Sequence, residues 1–120
     1  MGLSPTKVAI SPDGAYAYVS IRSEGAVAVI DTKHHTRVAT IRVGRNSPRG
    51  VAISPDGTRL YVANSEVGAL TVIDTAHNAV TDTIRVGDGP WAVALNPGGT
   101  RVYVANSYSG TITILRNDVG

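Results

Sequence analysis

The chain has 120 residues with eleven basic and nine acidic side chains, which gives a net charge of +2. Hydrophobic residues make up 42% of it and charged residues 17%, a balance typical of a folded domain. The absence of cysteine excludes disulfides, zinc–thiolate sites and thiol catalysis. No apolar run approaches the ~18–20 residues that span a bilayer, and the charge balance does not point to nucleic acid. We therefore predict neither a membrane nor a nucleic-acid partner, and we assign no compartment.

In chain order, the first third of the sequence predicts four short strands. Val-Ala-Ile at 8–10 precedes Ser-Pro-Asp-Gly at 11–14, in which proline presets φ and glycine permits a positive φ. Further strands are predicted at 17–19, 26–30 and 38–43, because these segments are rich in β-branched residues and tyrosine. No segment has a sustained helical period of apolar residues. The chain is therefore predicted to be all-β.

The same series of elements returns twice along the chain. Residues 8–44 align with 51–87 without gaps, and 21 of 37 positions are identical. Residues 51–75 align with 93–117, and 13 of 25 positions are identical. A four-stranded antiparallel unit of about 42 residues, repeated, is typical of a β-propeller blade. We predict about three blades, the last without its outer strand: blade 1 at 4–46, blade 2 at 47–88, and a partial blade 3 with strands one to three at 89–117.

The second predicted strand of each repeat carries a motif. Tyr-Val-Ala-Asn at 61–64 and again at 103–106 resembles the motif of the YVTN β-propeller repeat family. The Ser-Pro-Asp-Gly turns, Val-Ile-Asp-Thr at 72–75 and Thr-Ile-Arg-Val-Gly at 83–87 belong to the same pattern. The first repeat has Tyr-Val-Ser-Ile at 18–21 instead, so we expect its turn to be built differently. The resemblance implies a β-propeller, and it implies function only weakly because such folds host many functions.

One face of the predicted propeller carries the candidate binding residues. Crossovers between blades and turns between second and third strands share this crossover-loop face, made of residues 6–7, 22–24, 45–49, 65–67, 88–91 and 107–109. Thr6, Arg49 and Trp91 occupy the same repeat position on it. Trp and Arg are common anchors of binding surfaces; alternatively, Trp91 fills space between blades and Arg49 is solvated. The candidate ligand-binding residues are Arg49, Trp91, Arg45, Asp88 and Lys7.

Other polar residues indicate structure rather than chemistry. His34 and His77 occupy equivalent turns, and the neighbouring Asp31 and Asp74 are interpreted as turn caps. Asp13 and Asp56 lie in the Ser-Pro-Asp-Gly turns, and their equivalent in the third repeat is Gly98, which indicates a role in turn geometry. We predict no catalytic residue, metal site or cofactor. A basic arc on the crossover-loop face keeps nucleic acid as an alternative: Arg22, Arg42, Arg45, Arg49 and Arg85.

The sequence alone favours a non-enzymatic repeat scaffold that assembles into a closed ring. The alternatives are a ligand- or nucleic-acid-binding propeller and a fragment of an enzyme like the lactonases and dehydrogenases that share the fold. Three blades are fewer than the ~4–8 of closed propellers, so we expect a head-to-tail homodimer with six blades, or a trimer with nine. The apolar end faces expected to join are lined by Val8, Ile10, Val19 and Val29 on the first blade and by Val93, Val104, Ile112 and Ile114 on the last.

Overall fold

The structure, a computed structural model, describes residues 5–43 and 48–116. These residues form eleven β-strands and no α-helix, and no helix among them is long and apolar enough to cross a membrane. The strands are β1 Pro5–Ile10, β2 Tyr16–Ile21, β3 Ala26–Asp31, β4 Thr36–Arg42, β5 Pro48–Ile53, β6 Arg59–Asn64, β7 Ala69–Asp74, β8 Ala79–Arg85, β9 Pro90–Leu95, β10 Arg101–Asn106 and β11 Thr111–Arg116.

The strands form three antiparallel sheets, one for each repeat. Two sheets have the strand orders β1-β2-β3-β4 and β5-β6-β7-β8, and the third has β9-β10-β11. Strand β5 contacts both β1 and β9, so the first strands of the three sheets lie side by side. This confirms the predicted all-β fold of propeller blades, with no outer strand for the third blade in the described part of the chain. The blade boundaries stay a prediction, because residues 4, 46, 47 and 117 lie outside the described ranges.

The Ser-Pro-Asp-Gly turns are held by side-chain hydrogen bonds. In the second repeat the Ser54 hydroxyl donates to Asp56 Oδ1 at 2.6 Å, and the Arg59 amide donates to Ser54 Oγ at 3.1 Å. The turn ends at Gly57, whose φ is +77°. A positive φ strains residues that carry a Cβ, so glycine suits this position. The predicted conformation of the turn is confirmed.

The third repeat closes the same turn with a different side chain. Asn96 stands where the other repeats have serine, and its Oδ1 accepts a hydrogen bond from the Arg101 amide at 2.9 Å. Its Nδ2 donates to Thr100 Oγ1 at 2.9 Å. The Asn96 side chain therefore accepts the backbone amide that serine accepts in the other repeats, and its second bond, to Thr100, needs no aspartate at position 98.

The turn after the second strand differs between repeats, as the sequence predicts. Residues Arg22–Glu24 form a short 3₁₀ turn, and the Gly25 amide donates to the Arg22 carbonyl at 3.2 Å. In the third repeat the Gly110 amide instead reaches back to the Asn106 carbonyl at 2.9 Å. The hydrogen-bonded turn is therefore one residue wider in the third repeat, which carries the motif asparagine, than in the first, which lacks it.

Each blade has two apolar faces because side chains alternate along a strand. The tyrosine face carries Tyr18 in blade 1, Tyr61 in blade 2 and Tyr103 in blade 3. The valine face carries directly paired valines, 8 with 19, 51 with 62 and 93 with 104. The tyrosine face of one blade packs on the valine face of the next, so Tyr18 clusters with Val62, and Tyr61 with Val104.

This alternation corrects part of the predicted end faces. Val29 is 2% exposed because it lies on the tyrosine face of blade 1, against blade 2. Val104 is fully buried and Val93 half-buried, because both lie on the valine face of blade 3, against blade 2. The prediction that these three residues line the ends of the chain is wrong. Val8, Ile10, Ile112 and Ile114 are exposed there, as expected, and Val19 is half-buried.

Candidate functional site

Thr6, Arg49 and Trp91 are equivalent in the three repeats and lie at the starts of the first strands β1, β5 and β9. Because these strands lie side by side, their starts form one row, which we call the inner rim. The Thr6 hydroxyl donates to the Arg49 carbonyl at 3.1 Å, and Ser20 Oγ donates to the same carbonyl at 2.7 Å. The Arg49 guanidinium lies over the Trp91 ring, 3.9 Å from its centroid. Polar contacts therefore join blades 1 and 2, and a cation–π contact joins blades 2 and 3.

The inner strands approach closely where Arg49 and Trp91 meet. A Cβ on Gly50 would lie 2.6 Å from the Trp91 carbonyl oxygen and 2.8 Å from Ala92 Cα. Both contacts are to backbone, which cannot rotate away as a side chain can. Glycine at this position therefore permits the spacing of β5 and β9 that brings Arg49 over Trp91.

An open groove of about 750 Å³ lies between blades 2 and 3 on the crossover-loop face. Its lining includes two carboxylates, a guanidinium, a phenol and a hydroxyl, and the full set is Ser65, Glu66, Val67, Gly68, Arg85, Val86, Asp88, Gly89 and Tyr108. Arg49 connects this groove to the rim, because its Nε donates to Ser65 Oγ at 2.9 Å. Arg85 Nη1 donates to the Val67 carbonyl at 3.4 Å. The groove therefore holds the carboxylates of Glu66 and Asp88 and the guanidinium of Arg85 in one cavity that is open to solvent.

Backbone hydrogen bonds fix the wall of this groove. The Tyr108 amide donates to the Asp88 carbonyl at 3.1 Å, and the Ser107 amide donates to the Gly89 carbonyl at 2.9 Å. Gly89 has φ +63°, and a Cβ on it would lie 2.3 Å from Tyr108 Cγ. The Tyr108 ring therefore lies directly against the Gly89 backbone. The Asp88 side chain, next in sequence, is exposed at the groove.

The structure brings together three of the five candidate ligand-binding residues. Arg49 and Trp91 are in contact, and Arg49 reaches the groove that Asp88 lines. Trp91 is 41% exposed, so it is not solely a filler between blades. Lys7 is exposed on β1 of the first blade, and Arg45 lies outside the described residues.

Sequence reasoning left Tyr108, Ser65, Glu66 and Arg85 out of the candidate set. The turns that contain the first three do differ between repeats, which is a signal that could have selected them. Their convergence with Arg85 depends on the distance between two sheets, and spacing along the chain does not report that distance.

The two repeat-equivalent histidines lie at the opposite face and form pairs with aspartate. His34 Nδ1 lies 3.0 Å from Asp31 Oδ2, and His77 Nδ1 lies 2.7 Å from Asp74 Oδ2. The histidine hydrogen bond is the main cause that lowers the pKa of each aspartate. Asp31 Oδ1 also accepts the Lys33 amide at 2.8 Å, as the predicted turn cap requires. Within residues 5–43 and 48–116, no group of three or more His, Asp or Glu side chains is arranged to hold a metal ion.

Residues 3–79 match the family described as lactonase, 7-bladed β-propeller. The chain belongs to this family. The match overturns the prediction of a non-enzymatic protein, because the family is one of lactonases. The match supports the prediction of a β-propeller family, but it does not show that the repeats are of the YVTN type. No curated protein matches the chain.

Solved structures support the same fold. Hydrazine synthase of Kuenenia stuttgartiensis has a TM-score of 0.91 and 30% sequence identity, over 98% of this chain and 34% of that one. A protein of Bacteroides fragilis provisionally named a 6-phosphogluconolactonase has a TM-score of 0.83 and 21% identity, over 95% of this chain and 35% of that one. A similarly named protein of Bacteroides uniformis has a TM-score of 0.85 and 19% identity, over 97% and 37%. The chain therefore spans about a third of the length of each of these structures.

Proposed function

We propose that this chain supplies blades of a lactone hydrolase and that the groove between blades 2 and 3 holds the substrate. The observation that carries the proposal is the lactonase family match over residues 3–79. The groove supports it, because it is an open cavity of about 750 Å³ that contains Asp88, Glu66 and Arg85. Loops on a rigid β scaffold are common positions for catalytic residues.

The chemistry requires a base and a site for negative charge. The attacking water loses a proton to a carboxylate and forms a bond to the lactone carbonyl carbon. The ring C–O bond then breaks, the leaving oxygen takes up a proton, and the product is a hydroxy acid with no change in oxidation state. We assign the base to Asp88, whose side chain is exposed at the groove. Arg85, held through its bond to the Val67 carbonyl, is assigned to stabilise the developing oxyanion.

We further propose that the substrate is the lactone of an acidic sugar. Two fold neighbours carry the name 6-phosphogluconolactonase. On the crossover-loop face Arg49 is fixed by Trp91 and Ser65, so a guanidinium is ready to pair with a phosphate or carboxylate. Lys7 and, from its sequence position alone, Arg45 add positive charge to the same face.

The test is hydrolysis of 6-phosphoglucono-δ-lactone and glucono-δ-lactone, followed by acid release and corrected for the uncatalysed rate. We expect the 120-residue protein to accelerate hydrolysis, with the phosphorylated lactone preferred. Asp88→Asn should lower kcat by about 100-fold or more, the usual contribution of a general base. Asp82→Asn, which removes an exposed carboxylate on β8, is the matched control and should keep the rate. Full activity of Asp88→Asn, or no activity on either lactone, would contradict the proposal.

We also propose that the repeats are of the YVTN type. The motif asparagine supports this: Asn64 Nδ2 donates to Thr71 Oγ1, and Asn106 Nδ2 donates to Thr113 Oγ1 at 2.8 Å. Both asparagines are buried at the end of the second strand and bond to the third strand of their own blade. The motif thus has the same structural role in both repeats that carry it.

A further inference from the structure

A second cavity, of about 270 Å³, lies between blades 1 and 2 on the face opposite the groove, where the Ser-Pro-Asp-Gly turns lie. Both of these blades are four-stranded sheets, and the cavity lies at the contact between them. Its polar lining comprises two carboxylates, two phenols and two hydroxyls, which belong to Asp13, Asp56, Tyr16, Tyr18, Ser11 and Thr75. No basic side chain is among the described residues that line it, so the cavity is negatively charged.

The two carboxylates come from turns that touch each other. A Cβ on Gly57 would lie 3.1 Å from Pro12 Cδ, so the turn of blade 2 packs on the turn of blade 1. Asp13 follows Pro12 in the chain, and Asp56 precedes Gly57, which puts one carboxylate on each side of this contact. The Thr75 hydroxyl donates to the Gly57 carbonyl at 2.5 Å and holds the blade 2 side of the cavity. The fold therefore brings both acidic groups to one cavity.

Neighbouring residues leave one oxygen of each carboxylate for a ligand. The Ser11 hydroxyl donates to Asp13 Oδ1 at 2.6 Å. The Ser54 hydroxyl donates to Asp56 Oδ1, also at 2.6 Å, and backbone amides of both turns bind the same Oδ1 atoms. These hydroxyls are the main cause that lowers the pKa of each carboxyl, that of Asp56 to about 2. Both side chains are therefore charged at neutral pH, and the Oδ2 atom of each can accept a further hydrogen bond.

The hydroxyl of Tyr18 is a third polar group at this cavity. Tyr18 is only 3% exposed, yet no group in the described part of the chain forms a hydrogen bond with its hydroxyl. Burial is the main cause that raises the Tyr18 pKa, and the charges of Tyr16 and Asp13 raise it further, so the hydroxyl lies near both. A buried tyrosine hydroxyl usually has a hydrogen-bond partner. An unpaired one that faces a charged cavity therefore points to a ligand.

We propose that this cavity binds a primary alkylammonium group, that of a free amine or of a lysine side chain. The three N–H donors of such a group match three available oxygens, Asp13 Oδ2, Asp56 Oδ2 and Tyr18 Oη. The ring of Tyr16, which is 41% exposed, adds an aromatic surface of the kind that attracts cations. The inference is independent of the proposed lactonase activity, which uses the opposite face.

A metal ion fits this cavity less well than an organic cation. Among the described residues, no group of three or more His, Asp or Glu side chains is arranged to hold a metal ion. The cavity of about 270 Å³ is also several times larger than the ~30 Å³ that one water molecule occupies in the liquid. It therefore has room for part of an alkyl chain as well as for the charged group.

The first experiment titrates the isotope-labelled 120-residue protein with butylammonium chloride at constant ionic strength, and NMR follows the backbone amide signals. We expect saturable shifts of Gly14 and Gly57, which follow the two carboxylates in the chain. Acetyl-lysine methylamide carries the same ammonium group on a lysine side chain. Tighter binding of either probe supports the site and identifies the source of the amine. Absence of saturable shifts, equal binding of butanol, or tighter binding of calcium chloride would overturn the proposal.

The second experiment removes the unpaired hydroxyl. Tyr18→Phe loses no hydrogen bond within the described residues, so its melting temperature should not fall. Its affinity for butylammonium should fall about tenfold, because a hydrogen bond to a charged group is lost. Tyr103→Phe is the matched control, since it changes the equivalent tyrosine of blade 3 and should bind like the original protein. Equal affinities of the two variants would overturn the role of the Tyr18 hydroxyl.

The third experiment removes one of the two charges. Asp56→Asn keeps the size of the side chain, and we expect it to weaken butylammonium binding about tenfold or more. Asp82→Asn, which removes an exposed carboxylate from β8, should keep the affinity. The NMR spectrum of each variant without ligand shows that it is folded. Equal affinities of Asp56→Asn and Asp82→Asn would overturn the proposed site.

Discussion

Arg49 and Trp91, which occupy the same position in successive repeats, lie in direct contact, with the guanidinium 3.9 Å from the ring centroid. Trp91 is the only tryptophan of the chain, so tryptophan fluorescence reports on the surroundings of this one side chain. We expect Arg49→Met to shift the Trp91 emission maximum and to lower stability by about 0.5–1 kcal/mol, the usual strength of an exposed cation–π pair.

The control for this prediction is Arg42→Met, which removes an exposed arginine from β4. Arg42 belongs to blade 1, whereas Trp91 belongs to blade 3. Urea titrations followed by Trp91 emission would measure both effects. An unchanged emission maximum in Arg49→Met would contradict the cation–π contact.

Gly50→Ala is expected to destabilise the protein much more than Gly98→Ala. The new Cβ at position 50 would meet the backbone of Trp91 and Ala92 at 2.6 and 2.8 Å, whereas a Cβ at position 98 meets no atom within 4 Å. Separation of β5 from β9 should cost about 1–3 kcal/mol, as overpacked sites generally do. Thermal unfolding of the two variants measures the difference. Equal melting temperatures would contradict the close approach of the inner strands.

Acid should remove the stabilising effect of Asp56. The Ser54 hydroxyl, followed by the Thr58 amide and hydroxyl, lowers the Asp56 pKa from 3.8 to about 2. Since the folded pKa lies below the unfolded one, the unfolded chain binds the proton first. The contribution is therefore complete above pH values near 4 and disappears as pH falls through about 2.

Melting temperatures of the original protein and of Asp56→Asn, measured from neutral pH down to about pH 2, test this dependence. The difference between the two proteins should be largest at neutral pH and should shrink on acidification. Asp82→Asn is the control for removal of a surface carboxylate elsewhere. A difference that is constant from neutral pH to pH 2 would show that the charge of Asp56 does not stabilise the turn.

The buried pair of Asn64 and Thr71 should show energetic coupling. Asn64 Nδ2 donates to Thr71 Oγ1, and both residues are 3% exposed or less. Removal of one partner leaves a buried polar group unsatisfied, which costs about 1–3 kcal/mol. We expect Asn64→Ala and Thr71→Val each to be destabilising, and the double variant to be less destabilised than their sum. Strict additivity in urea denaturation would argue against the bond.

The repeat pattern predicts most of the fold because each strand and turn is local. Ser54, Asp56 and Gly57 form their turn from residues within five positions, and a sequence shows such spacing directly. The sequence also predicts the three strands that the described residues of the third repeat form. It does not show which residues face which neighbouring blade, so Val29 and Val104 were placed on the wrong faces. The first four residues of β3 are apolar and all buried, so alternation gives no signal there for Val29. Strand β10 does alternate between buried and exposed residues, but only the packing of blade 3 on blade 2 shows that the side with Val104 is the covered one.

The candidate site was only partly predictable for a related reason. Arg49 and Trp91 stand out in the sequence because arginine and tryptophan are common anchors of binding surfaces. Thr6, the residue at the same position of the first repeat, is not of this kind. Tyr108 and Arg85 come from separate blades, and only the packing of those blades brings them to one groove. The proposed lactonase activity rests on the family match and not on any catalytic motif in the sequence, since loops on a shared scaffold can vary without changing the repeat.

The shared order of tyrosine and valine faces has a consequence for how such proteins evolve. A gene duplication that adds one whole repeat inserts a blade whose two faces already fit its neighbours, because the contacts on either side use equivalent positions. Loss of a whole repeat likewise leaves matching faces to meet. Blade number can therefore change by recombination between repeats, without the stepwise selection that a new interface ordinarily needs.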